Sequence, residues 1–147
     1  MNRSYVKFGI TMAASLILMF LLTMSMIRTV DHFYLNLSNF YMALIMVAAM
    51  GVVMLIVMAG MFGNNRLNIA LYAALAVIFL GAFVLGRTET FVGNEQFLKS
   101  MIPHHSRAIL VCQESKITDP EIIALCDKIV RSQQAEIAEM KRILDRY

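Results

Sequence analysis

The sequence predicts an all-α membrane protein: three transmembrane helices followed by an antiparallel two-helix hairpin. Three observations predict it. The chain of 147 residues is 59% hydrophobic, well above the roughly 45–50% of an ordinary soluble domain. The apolar residues gather into three uncharged runs, each close to the ~20 residues that a membrane-crossing helix needs. Charge is divided the other way: residues 1–87 carry five Lys/Arg and one acid, residues 88–147 eight and nine. The pI near 9.0 therefore comes from charges flanking the apolar runs and is no argument for nucleic acid, which is not expected as a partner.

The three runs are residues 8–27, 40–62 and 69–86. In lipid only a helix satisfies its own backbone groups, so the runs are read as helices of a membrane domain over residues 1–87 with the bilayer as partner. The remaining 60 residues are too few to bury three such segments in a soluble core. Arg3 and Lys7 give the first run a basic start like a signal peptide. However, it ends Met24-Ser25-Met26-Ile27-Arg28, with no small-x-small cleavage site, so it is read as a retained anchor. The turn at 64–68 is short, so the N-terminus and that turn share a side, with Arg3, Lys7 and Arg66. The other side carries Arg28 and Arg87, with Lys99 close by. The positive-inside rule favours a cytoplasmic N-terminus by a margin of one residue or none. Residues 88–147 then lie outside the cytoplasm, as at a bacterial inner membrane.

Residues 88–94 read as a polar linker. Asn94 suits a cap for a helix from about 95 to 115. A second helix follows, to about Arg146. Thr118 with Glu121 fits a capping box, and Asp119 before Pro120 fits an alternative cap with proline at the first helical position. The connection at 116–119 is short, so residues 88–147 form an extramembrane helical hairpin domain. Helical spacing puts Met101, His104, His105, Ala108 and Cys112 on one stripe, and Cys126, Ile129, Gln133, Glu136, Ile137 and Met140 on another. Folded about Asp119, Cys112 faces Cys126, His105 faces Gln133, Met101 faces Ile137 and Leu98 faces Met140. His104 and Glu136 sit a turn away on adjoining edges.

The stretch Met101-Ile102-Pro103-His104-His105, then Ala108, Asp119-Pro120-Glu121 and Gln133-x-x-Glu136-Ile137-x-x-Met140, resembles a ferritin-like domain family of unknown function. The resemblance covers roughly residues 97–144. It implies a ferritin-like, extracytoplasmic helical domain and, for some members, copper bound through histidine and methionine. It implies no established activity. Carried over by position, the metal set is Met101, His104, His105, Gln133, Glu136 and Met140. Cys112 and Cys126 depart from the pattern, standing where apolar residues are expected, and so does the three-helix anchor.

Ligand chemistry points the same way. Thioether selects Cu(I), and imidazole suits copper or zinc. His-Glu-x-x-His is absent, and so are the paired Glu-x-x-His motifs of a di-iron bundle. The plainer reading is that Met101 and Met140 fill the seam, and that a histidine satisfies the Lys99 carbonyl freed by Pro103. Cys112 and Cys126 are read as a disulfide or as two small core residues ahead of a Cu(I)-binding thiolate pair. Met42, Met46, Met50, Met54 and Met58 recur every four residues in the second run; they are read as lipid-compatible apolar residues ahead of a copper relay. Ala59-x-x-x-Gly63 and Ala82-x-x-x-Gly86 permit close helix contact. His32, beside Asp31, is read as a solvated loop histidine ahead of an added ligand.

The leading expectation is a membrane-anchored metal-binding protein that captures, buffers or hands on copper at the cell envelope. The alternative is a structural module that docks a partner or forms a homo-oligomer, with no metal. No nucleophile–base pair, phosphate loop or nucleotide fingerprint is present, so the chain is not read as an enzyme. A hairpin this small buries little surface by itself. It is expected to pack on another copy, on the loop at 28–39 or on a partner.

Overall fold

The computed structural model describes residues 3–147, and these are all-α. Five helices follow in order: α1 (Arg3–Thr23), α2 (Leu37–Val57), α3 (Asn65–Arg87), α4 (Asn94–Glu114) and α5 (Pro120–Leu144). They fall into two compact units. One holds α1 and Ser38–Thr90; the other holds Met24–Leu37 together with Phe91–Tyr147.

In the first unit α1, α2 and α3 are each long and apolar enough to cross a membrane. Their ends are set by polar groups near the apolar boundaries. Asn64 caps α3, its side chain accepting from the Leu67 N–H, which starts the helix four residues before the apolar run. The Tyr5 hydroxyl donates to Asn68 Oδ1 (2.8 Å) and accepts from the Asn64 N–H (3.0 Å). Tyr5 and Phe8 of α1 close on Phe62. The core also includes Ala48, Leu55 and Leu75. Gly51 of α2 marks a close approach: a Cβ there would stand 2.7 Å from Met12 Cε and 3.0 Å from a Leu75 methyl. Ala82 is buried, and a Cβ on Gly86 would press Tyr41. Ala59 and Gly63 make no such approach, because α2 ends at Val57 and a 3-10 turn holds Ala59–Met61. Of the methionine row, Met42 and Met58 are exposed and the others half-buried.

Two boundaries differ from the apolar runs for the same reason. The helix of the first run stops at Thr23, although residues 24–27 are as apolar as those before them. Met24 is instead 1% exposed within the second unit, with the Asn36 amide on its sulfur (3.6 Å). Helix α2 begins at Leu37, and the Leu37 N–H donates to Gln96 Oε1 (3.0 Å), which satisfies a first-turn donor. The segment 24–37 thus leaves the apolar pattern because the second unit holds it.

The second unit is an antiparallel hairpin with that segment laid along it. Of the two caps the sequence offered α5, Asp119–Pro120 is the one used: Asp119 Oδ1 accepts from the Glu121 and Ile122 N–H groups (2.8 and 3.2 Å). Asn94 is not a cap. Gly93 takes that position without a side-chain bond, while the Asn94 amide donates to the Tyr147 hydroxyl at the open end of the hairpin. At the closed end Cys112 and Cys126 form a disulfide, with Cα atoms 5.3 Å apart. Between them the seam buries Leu98, Ile102, Ile109, Ile137 and Met140. The Lys99 carbonyl, left free by Pro103, accepts from the Asn36 amide (3.5 Å), so the strap supplies the donor and no histidine is needed. Past α3, Glu89 and Phe91 take positive φ values of 48° and 65°, an uncommon conformation for side chains of that size.

Replacing Cys112 and Cys126 together by Ser is expected to cost unit two about 3 kcal/mol, the entropic value for a closed loop of about fifteen residues. Hydrogen exchange at the α4–α5 seam of the full chain measures it. Two free thiols in the intact mass of protein isolated without reductant overturn the bridge.

Candidate functional site

His105 is the polar centre of the hairpin. It is 8% exposed, between Ile102 and Ile109 on the buried face of α4. Its Nδ1 lies 2.8 Å from the Met101 carbonyl, and its Nε2 2.7 Å from Glu136 Oε2 on α5. Glu136 Oε1 in turn accepts from the Ser132 hydroxyl (2.5 Å) one turn back on α5. Ser132, then the His105 imidazole, hold the Glu136 carboxyl below the usual carboxylate range, so it is ionised at neutral pH.

The expected pairing of His105 with Gln133 is displaced by three residues to Glu136. One turn separates the two, and the charge-assisted hydrogen bond from a ring N–H to an anionic carboxylate is stronger than one to a neutral amide. Gln133 is half-buried beside this level. His104 is exposed, its ring centroid 5.8 Å from that of His105. Met140 lies in the apolar core, and Met101 packs against its edge. The proposed set of six therefore divides: His105 and Glu136 touch, His104 stands beside them on the surface, Gln133 is half-buried one turn away, and the two thioethers belong to the packing. Among the described residues no three His, Cys, Asp or Glu side chains stand close enough to share a metal ion. The disulfide removes Cys112 and Cys126 from thiolate chemistry in this state.

A second polar cluster, unforeseen from spacing, pins the strap. Ser106 is fully buried. Its Oγ accepts from the Arg28 N–H and lies on His32 Nδ1, both at 2.8 Å. With one Ser106 lone pair committed, its hydroxyl hydrogen is free to donate to an unprotonated Nδ1, which puts the His32 proton on Nε2. That nitrogen faces Asp31 at 3.6 Å, and Asp31 is ion-paired with Lys141 of α5. The hydrogen bond from Lys141 first, and Thr29 next, drives the Asp31 carboxyl far below its usual value. His32 is thus docked and not solvated. Burial pushes its pKa down, Lys141 and Arg28 push the same way, and Asp31 opposes them. Ser106, directly after the His-His pair, was the available signal: a small hydroxyl at a position of the helix with no other reason to be polar.

Residues 85–144 match the family described as Domain of unknown function (DUF305). Along its whole length the chain is similar to the uncharacterized protein L153 of Acanthamoeba polyphaga mimivirus. The two are 34% identical over 148 residues, covering 99% of this chain and 94% of the relative. No solved structure matches.

The docked His32 has a pH consequence. Its folded pKa is lowered, so the neutral ring stabilises the docked strap fully above the unfolded value of about 6.5, and that stability is lost as pH falls below it. Between pH 7 and 5 the Arg28 amide is expected to lose exchange protection, while Asp31 stays ionised. His32→Gln, which retains an acceptor, is expected to remove this dependence. A pH-independent Arg28 amide in the native chain overturns it.

Proposed function

The chain belongs to the DUF305 family, and from that premise we propose a membrane-anchored protein whose hairpin unit binds a transition metal, copper foremost, at the cell envelope. The observation that carries the reading is the bracing of His105. A ligating imidazole characteristically gives its second N–H to a carbonyl or carboxylate. The Met101 carbonyl takes Nδ1 in this way, and Nε2 donates to the ionised Glu136 carboxylate, so that a metal would take the place of the Nε2 proton.

The donors fit such an ion after a small movement. Metal–nitrogen and metal–oxygen bonds of about 2.0–2.2 Å in a tetrahedral site hold the two atoms about 3.4 Å apart. Nε2 and Oε2 stand 2.7 Å apart, so the pair opens by well under 1 Å, and Ser132 keeps the carboxylate oriented. Imidazole with carboxylate is a nitrogen–oxygen set, suited to Cu(II) or zinc. The thioether-rich Cu(I) site expected from Met101 and Met140 is less well supported, since both are engaged in packing. The disulfide is the mark of an oxidising compartment. It agrees with a cytoplasmic N-terminus, three crossings by α1, α2 and α3, and a hairpin outside the cytoplasm, as at a bacterial inner membrane. The protein captures or hands on the ion and catalyses no reaction.

The alternative reading is a structural module in which Ser132, Glu136 and His105 form a closed polar network that locks the seam. The mutual satisfaction of those groups favours it.

Full-length protein purified in detergent is expected to bind Cu(II) stoichiometrically, and His104→Ala with His105→Ala to abolish binding. Calorimetry checks both. Glu136→Gln is expected to weaken affinity at least tenfold. Unchanged affinity in the double variant overturns this site, and a native chain that binds no Cu(II) overturns the metal reading and leaves the structural one.

A further inference from the structure

The hairpin has two flanks, and only one is covered. The strap closes the flank formed by Ser106 and the Lys99 carbonyl of α4 with Lys141 of α5. On the opposite flank, helical spacing aligns Phe97, His104, Ala108 and Val111 of α4 in one stripe, beside a stripe through Leu125, Ile129 and Glu136 of α5. Phe97, Val111 and Leu125 are each just over half exposed. Large apolar side chains thus lie above and below the level at which His104 and Glu136 reach the surface. Scattered exposed apolar residues are ordinary; a set sharing one flank with the histidine–carboxylate pair of the hairpin is suited to contact.

We propose that a second copy of this chain covers this flank and completes the ion site. Two features select a copy over another partner. The flank is self-complementary in charge: its α4 edge carries Arg107 beside His104, and its α5 edge Glu136, held by His105 and Ser132, and Glu139, 3.7 Å from Arg142. A two-fold axis running along the helices sets α4 of one copy against α5 of the other at the same level, so the basic edge meets the acidic edge twice. The site is also short of donors within one chain, where only His105 and Glu136 touch. His104 faces outward on this flank, in the direction from which the other copy's Glu136 approaches. The result is a four-helix arrangement with both imidazole–carboxylate pairs at its centre and the two straps outside. This inference rests on the metal reading for the role of His104, and on the flank alone for the pairing.

The test uses the full chain in detergent, with native mass spectrometry for subunit number and calorimetry for Cu(II). The native chain is expected to run as a dimer. Val111→Glu and Leu125→Glu, neither a ligand, are expected to give monomers with Cu(II) affinity at least tenfold weaker. Ile123→Glu, also exposed but turned away from this flank, is expected to change neither. A monomeric native chain, or monomeric variants that bind Cu(II) as tightly as the native chain, overturns the proposal whatever the metal content. A dimer dispersed by Val111→Glu that binds no Cu(II) supports the pairing and overturns the metal reading alone.

Discussion

Two helices packed on each other leave both of their flanks bare, and the second unit exists because a distant segment closes one of them. Residues Met24–Leu37 lie between α1 and α2 in the chain, yet belong by contact with α4 and α5. Their hold is polar and buried. The Ser106 hydroxyl takes the Arg28 amide and His32, and the Asn36 amide takes the carbonyl that Pro103 leaves without a donor. Buried polar groups carry a cost unless partnered, so these bonds specify where the strap lies. Met24 adds an apolar anchor at its start.

With the strap in place, α4 is fixed along one side and His105 along the other. The imidazole is held at both nitrogens, and Glu136 at both oxygens. That economy explains why two readings of the site coexist. The same bonds that pre-position a ligand also satisfy it, and a metal would compete with the ion pair for Nε2. Mutual orientation by a carbonyl and a neighbouring hydroxyl is what separates this pair from a chance surface contact. The exposed position of His104 beside it supplies a further nitrogen where solvent or another chain can reach.

Much of this was legible in residues 94–147, because helical period, proline position and a short turn leave little freedom. Asp119–Pro120 announced the start of α5, and pairing Cys112 with Cys126 placed the register to within a turn. The three apolar helices were legible from length and hydropathy. What spacing could not show was the fate of residues 24–27. They are apolar enough to extend α1, and nothing local says that Met24 is buried within the second unit, with the Asn36 amide on its sulfur. The same limit hid the roles of Ser106, Asn36 and Ser132. Each is a small polar residue whose meaning depends on a partner distant in the chain or one helical turn off. His32 was misjudged for that reason: beside Asp31 it resembles a surface residue until Ser106 is brought to it. The Glu136 pairing was missed by one turn, the resolution that period alone allows.

The discontinuity of the second unit sets an order of events during biosynthesis. His32 and Ser106 are separated by 74 positions, and Asp31 and Lys141 by 110. At about 5–20 residues per second, roughly 4–15 s pass between emergence of His32 and of Ser106 on α4. All of α2 and α3 is made in that interval. The strap therefore waits as a tether between two apolar helices, its Arg28 N–H and His32 ring still without the Ser106 hydroxyl, and α4 must find a site laid down long before it. A nascent chain arrested short of α4 would carry an open strap, with Arg28 and His32 lacking Ser106 and Asp31 lacking Lys141.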